Sequence, residues 1–266
     1  WMLDFLQDLG HEVRMAHPLY LKAIAYAKVK TDRVDAHTLA QLLRLGYIPE
    51  AFIYPRELRP TRGLLRRRNR LVNMRAGFYR DLKLQLMSHN ITHFDRNAIK
   101  KIDGRNLRAL LPQAHDRRVG LAMVHLIDAF DREVHVLEEE IRATVRRLKP
   151  IVLLKTIPGV GKTLAPTIYY EIGQIHRFPS DKAFSSYCRL APTIAQSGTV
   201  TRKGKNRKQG NRYLKWAFSE AVCLFLRECE QAKRFVERKA KKHCKAKAMA
   251  TLSAKLGRAV YWMLRR

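Results

Sequence analysis

Arg59-Pro60-Thr61-Arg62-Gly63-Leu64-Leu65-Arg66-Arg67-Arg68-Asn69-Arg70-Leu71-Val72 opens the segment whose period decides the fold. Leu64, Leu65, Leu71, Val72, Phe78, Leu82 and Leu86 fall at helical core spacing, which predicts one helix over 59–89. Residues 116–148 repeat the pattern with Val119, Met123, Leu126, Ile127, Phe130, Val134, Leu137, Ile141, Val145 and Leu148. Two such helices joined by a loop around 95–112 predict an antiparallel, coiled-coil-like arm. Eight arginines stand between positions 59 and 80 with no acid among them. They read either as a solvated face or, given the missing counter-acids, as the binding face for a polyanion, with Arg66, Arg67 and Arg70 as candidate contacts.

Upstream of the arm, residues 1–28 read as the end of an α/β layer. A short helix stops at Gly10, a strand is expected over 11–16, and Pro18 ends it. Thr31 is placed to cap a helix running through Leu39, Leu42 and Leu43 to Gly46, and 48–55 reads as loop or short strand. Downstream, helices are expected up to Gly173, over 181–189, 209–229 and 246–264. The expected class is mostly α with an incomplete α/β part. The expected domains are 1–56, a helical arm at 57–149, and a helical C-terminal domain at 150–266.

The chain has 53 Lys and Arg against 23 Asp and Glu, a formal charge of +30 over 266 residues. A surface so positive repels itself unless polyanions neutralise it, so nucleic acid is the expected partner, ahead of a ribosomal-type or membrane-surface role. Hydrophobic residues at 46% support real cores rather than a basic tail. No apolar run reaches the roughly 18 residues of a spanning helix, so no membrane partner is expected. Cys188, Cys223, Cys229 and Cys244 form no C-x-x-C pair and read as reduced thiols of a cytoplasmic protein rather than zinc ligands. The histidines are scattered and receive no metal role. The chain begins at Trp1 without an initiator Met and reads as part of a longer protein.

Three motifs carry chemistry. In Thr31-Asp32-Arg33-Val34-Asp35-Ala36 the two carboxylates lie three apart in a first helical turn, on one side. They can hold Mg²⁺ through hard oxygen ligands, or simply complement the helix dipole. Ile157-Pro158-Gly159-Val160-Gly161 looks like the hairpin of a helix-hairpin-helix element, in which Gly159 and Gly161 let backbone N–H groups approach a phosphate, with Lys162 beside them. An ordinary glycine turn is the alternative. Gln196-Ser197-Gly198 places an unhindered hydroxyl beside a glycine in a stretch, 196–215, with seven Lys and Arg and no acid. There Ser197 is a candidate nucleophile, and Arg202, Lys203, Lys205, Lys208 and Asn211 are candidate nucleic-acid contacts. No base lies near Ser197 in sequence, so its activation must come from elsewhere in the fold or from another subunit.

In order and spacing these stretches resemble the insertion-sequence 110 family of transposases. The resemblance also draws on Arg177-Phe178-Pro179-Ser180, Leu190-Ala191-Pro192, Lys208-Gln209-Gly210-Asn211-Arg212-Tyr213-Leu214, Ala254-Lys255-Leu256 and Tyr261, and so covers nearly the whole chain. It implies a recombinase of the DEDD–serine type, directed by a structured non-coding RNA and active on DNA as a dimer or tetramer. Implied with it are a partial RNase H-like (RuvC-type) domain at 1–56, the coiled-coil arm, and a serine-bearing C-terminal transposase domain. Asp32 and Asp35 would then be the last two acids of a Mg²⁺-binding tetrad whose first two precede Trp1, and Ser197 the nucleophile that forms a phosphoserine link. The resemblance places the protein in a bacterial or archaeal cytoplasm, at the nucleoid. The alternatives are a metal-dependent junction nuclease that hydrolyses with water, needing the acids but not Ser197, and an inactive transposase remnant that only binds nucleic acid.

Overall fold

The computed structural model describes residues 1–18, 20–21, 31–197, 200–204 and 209–266, with backbone only at 96, 193–197 and 200–204. It divides into two compact units, Trp1–Arg59 and Pro60–Arg266.

Among the described residues the first unit holds two α-helices. α1 (Met2–Asp8) ends before Gly10, and α2 (Asp32–Arg44) ends before Gly46. Thr31 Oγ1 accepts the Val34 backbone N–H at 3.3 Å, the expected N-cap. The strand expected over 11–16 does not form. Ala16 makes a single antiparallel bridge with Glu50, flanked by Ala51 N–H to Met15 O and His17 N–H to Pro49 O. Pro18, which has no N–H, bars the pairing from growing on its C-terminal side. None of the described residues here is buried, and Phe5, Leu9, Leu43, Leu45 and Tyr47 are exposed. Charge pairs lace the unit: Arg59 to Asp4 at 2.7 Å and Arg56 to Asp8 at 2.8 Å.

The second unit begins with the arm. α3 (Arg59–Ser88) has Pro60 in its first turn, where a missing N–H costs nothing. It stops at Asn90, whose φ of 60° bends the chain back so that Ile91 N–H reaches Leu86 O. α6 (Ala114–Val145) returns antiparallel. Arg68 pairs with Glu138 and, one heptad on, Arg75 pairs with Asp131 one heptad back, while Phe78 stacks on Phe130 at 5.6 Å. This is the register of two helices running in opposite directions along one seam. The connection is not a plain loop. It folds into α4 (Arg96–Ile99) and α5 (Gly104–Leu110), each capped by an aspartate, Asp95 and Asp103. Both carboxyls are held below their ordinary pKa by backbone N–H groups. Ile99, Ile102, Leu107 and Leu111 then close over Leu82, Leu86 and Val124 to form a small core at the tip.

Beyond the arm come α7 (Lys149–Leu154), α8 (Leu164–Ile172) and α9 (Asp181–Tyr187), the last capped by Ser180. An antiparallel hairpin follows, β1 (Thr193–Ser197) with β2 (Val200–Gly204), in a segment for which no element was expected. α10 (Arg212–Glu228), α11 (Glu230–Lys242) and α12 (Lys245–Arg265) complete the unit, α11 lying between the helices expected over 209–229 and 246–264, where none was expected. Phe184, Phe218 and Tyr261 form an aromatic core between α9, α10 and α12, and Tyr261 OH donates to Phe178 O at 3.1 Å. Among the described residues no helix is long and apolar enough to cross a membrane.

Candidate catalytic and nucleic-acid-binding site

Asp32 and Asp35 lie in the first turn of α2, in the first unit. Asp32 is exposed. Asp35 is half-buried, and its Oδ1 is buried with no hydrogen-bond partner among the described residues. A polar oxygen shut away from water and unpaired is costly, so this atom suits a hard cation as ligand. Among the described residues no group of three or more His, Cys, Asp and Glu side chains forms a complete cage. Asp32 and Asp35 by themselves fall short of such a group.

Ser197 is in the second unit, the last residue of β1, in register with Val200; Ala195 faces Arg202 and Ile194 faces Lys203 across the ladder. Lys205 and Lys208 lie outside the described residues. What anchors this hairpin is clear at its base. Asn211 N–H donates to Tyr187 O at 2.6 Å, and Arg189 Nε–H donates to Gly210 O at 2.9 Å. Gly210 has φ +79°, and a Cβ there would stand 2.5 Å from Tyr187 O, so only glycine allows the chain before α10 to approach the end of α9 so closely.

Asn211, expected as a contact to nucleic acid, is buried and fully used inside the protein. Its Oδ1 accepts the Tyr213 and Leu214 N–H groups as the N-cap of α10. Its Nδ2 donates to Glu171 Oε2 at 2.7 Å. Glu171 is itself buried and takes Arg62 and Arg66 of α3 as well, with Arg62 Nη2 at 2.9 Å and Arg66 Nε at 2.6 Å. Burial pushes the Glu171 carboxyl up, but the bonds from Arg66, Arg62 and Asn211 outweigh it and hold it below its ordinary value. Arg66 also lies over the Tyr213 ring at 4.6 Å. Glu171 thus ties the arm helix to the root of the hairpin. The sequence carried one signal for it: an acid in the otherwise apolar run Thr167-Ile168-Tyr170-Ile172 of α8.

The arginine face of α3 needs the largest revision. The absence of local acids suggested uncompensated charge, yet Arg59, Arg62, Arg66, Arg68 and Arg75 all find carboxylates distant in sequence. A helix shows its neighbours to partners that the linear sequence hides. Arg67 and Arg70 remain exposed on the helix.

At the glycine turn the two glycines differ. Gly159 has φ +80° and backs onto α10, where a Cβ would stand 2.6 Å from Phe225 N; it is required by packing. Gly161 and Lys162 are exposed, and nothing lies within 4 Å of a Cβ built at Gly161. The motifs also pass over a further cationic corner. Arg238, Lys239, Lys241, Lys242, Lys245 and Lys247 crowd the junction of α11 and α12, mostly exposed, and a tally of charge by window would have found them.

The chain is similar to known proteins over most of its length. Residues 152–237 match the family model described as the transposase IS116/IS110/IS902 family, and residues 1–91 match a model of DEDD transposases of IS110 type. The chain is 25% identical over 232 residues to a probable family 20 transposase of Pseudomonas aeruginosa, covering 84% of this chain and 67% of that one. It is 24% identical over 233 residues to the transposase for insertion sequence element IS1111A of Coxiella burnetii, covering 85% and 63%. It is 26% identical over 234 residues to a pilin gene-inverting protein of Moraxella bovis, covering 86% and 64%. The chain spans about two thirds of the length of these relatives.

Proposed function

Because this chain belongs to the IS116/IS110/IS902 family of transposases, we propose that it is the greater part of a recombinase that cuts and rejoins DNA through a serine-linked intermediate. The observation that carries the reading is Ser197 at the end of β1, in a cation-rich stretch, on a hairpin whose root is clamped to α9 and, through Asn211 and Glu171, to α3.

In this reading Ser197 Oγ attacks a backbone phosphorus in line. Its bond to phosphorus forms as the bond to one strand end breaks. The serine proton is lost in the exchange, and the departing strand end gains one to become a free hydroxyl. The link keeps phosphodiester energy, so the reverse step with a different strand end rejoins DNA without a nucleotide cofactor. Asp32 and Asp35 hold Mg²⁺, with two further acids supplied from an RNase H-like (RuvC-type) domain to which residues 1–56 belong; the unpartnered Asp35 Oδ1 supports this. When bound, the ion offsets the charge that builds on the phosphoryl oxygens.

Arg67, Arg70, Lys162, Arg202, Lys203, Lys205 and Lys208 line nucleic-acid backbone, with Gly161 leaving a phosphate room to approach. Arg66, Asn211 and Gly159 are reassigned to positioning, since their groups or their space are already taken. A structured RNA selects the DNA sites. The protein acts as a dimer or tetramer at the nucleoid, so that acids and serine come from different subunits.

The test is to trap a covalent protein–DNA adduct with the full-length protein, cognate RNA and Mg²⁺. An adduct lost in Ser197→Ala supports the mechanism. Cleavage without an adduct, equal in Ser197→Ala, would replace it with hydrolysis by water.

A further inference from the structure

A cleft of about 350 Å³ opens between α3, α6 and the turn that follows α7. Besides Arg68, four cations line it: Arg142 in the last turn of α6, Arg146 just past its end, Lys155 just past the end of α7, and Lys162 beyond the glycine turn. All four are exposed. The one acid of the lining, Glu138, is already taken by Arg68. Arg142 meets Glu139 at 3.0 Å, but both are about half exposed, so water screens that pair. Among the described residues Arg146, Lys155 and Lys162 have no carboxylate within ion-pair distance. The floor is apolar, from α3 and α6, and a low-dielectric wall behind unpaired cations concentrates their potential in the cleft.

We infer that this cleft seats a phosphodiester backbone at the foot of the arm, a nucleic-acid site distinct from the Ser197 hairpin. Cations brought by three separate segments into an open cleft suit a run of phosphates better than a single small anion, which would satisfy one or two of them. The turn of Gly159 and Gly161 beside Lys162 leaves its outer side open, so a strand can lie along it without meeting a side chain. The backbone can be that of an RNA stem or of DNA, which offer the same phosphates. The inference rests on the nucleic-acid reading of the chain given above.

The test uses the whole chain, a labelled RNA hairpin and a labelled DNA duplex of equal length, titrated over a range of salt. Arg146→Gln/Lys162→Gln should weaken binding on the order of tenfold. It should also lower the slope of log K against log salt by about two, one for each phosphate no longer neutralised. Its melting temperature should stay at that of wild type, since neither side chain holds a carboxylate among the described residues. A loss with RNA alone makes the cleft an RNA seat, a loss with DNA alone a DNA seat, and a loss with both a shared one; each supports the inference. In parallel, bound nucleic acid should protect Lys155 and Lys162 from acetylation.

Lys233→Gln/Arg234→Gln removes the same charge where Glu230 already neutralises it. An equal loss in that variant would reduce the effect to net charge and overturn the cleft. So would unchanged affinity and slope in Arg146→Gln/Lys162→Gln. If wild type binds neither RNA nor DNA, the nucleic-acid reading falls with it.

Discussion

Asn211 Nδ2 donates a 2.7 Å hydrogen bond to Glu171 Oε2 across forty residues of sequence, and both side chains are buried. The carboxylate that receives it also receives Arg62 and Arg66, so the root of the serine hairpin, α8 and the arm helix share one anion. Replacing that anion removes the buried carboxylate that two guanidinium groups share. Arg62 is mostly buried and Arg66 about a third exposed, so Glu171→Ala should cost about 2–4 kcal/mol of unfolding free energy in a denaturant titration. A loss below about 0.5 kcal/mol, the level of an ordinary surface change, would deny Glu171 its structural role.

The same group sets an acid dependence. The Glu171 carboxyl is depressed in the folded protein. Its contribution is therefore complete above the unfolded pKa, about 4.3, and is lost as pH falls through the lower folded value. Wild type should lose stability on acidification faster than Glu171→Gln, the two curves converging below about pH 4. Curves that run parallel down to strong acid would show that the carboxylate is not held as described.

The two glycines of the 157–161 turn should part company on substitution. Gly159→Ala brings a Cβ onto the backbone of Phe225 at a positive φ, and should cost about 2–3 kcal/mol, read as a lower melting temperature. Gly161→Ala has open space and an ordinary φ, and should melt like wild type. If Gly161→Ala then binds nucleic acid as tightly as wild type, the glycine is only a turn residue and has no part in seating a phosphate.

The arginines of α3 should also divide. Arg68→Gln and Arg75→Gln lose partners on α6 and should lower stability by about 1 kcal/mol each without changing the salt dependence of nucleic-acid binding. Arg67→Gln/Arg70→Gln should do the reverse, lowering the salt slope by about one per phosphate released at constant melting temperature. The opposite assignment of effects would mean that the ion pairs along the arm do not hold in solution.

Asp35→Asn and Asp32→Asn test the partial ligand set in the full-length protein. Both should abolish strand cleavage while leaving the fold intact, as both lie in one capped first turn with no described ion pair. Titration of Mn²⁺ by its paramagnetic broadening should weaken in each variant. Full cleavage in the presence of EDTA would remove the metal from the mechanism.

The sequence by itself determined the helices and the terminal signals. Leu64 through Leu86 at core spacing give α3, Thr31 and Ser180 give caps, and the apolar period of 116–148 gives α6, because these depend on periodicity and on a cap's reach of three residues. It also exposed the serine, the paired aspartates and the glycine turn, since each is a short run of unusual chemistry. The β1–β2 hairpin was not legible, although Thr193-Ile194 and Val200-Thr201 are strand formers on either side of Gly198-Thr199, because five-residue strands carry little periodicity.

Only the tertiary structure decided which charges are free. Arg66 and Arg67 are adjacent and chemically identical, yet a helix turns them about 100° apart. One meets a buried glutamate more than a hundred residues away and the other meets solvent. Gly159 and Gly161 are divided in the same way by whether α10 lies behind them. Pairing and packing across long separations are properties of the folded chain, and no local window of the sequence contains them.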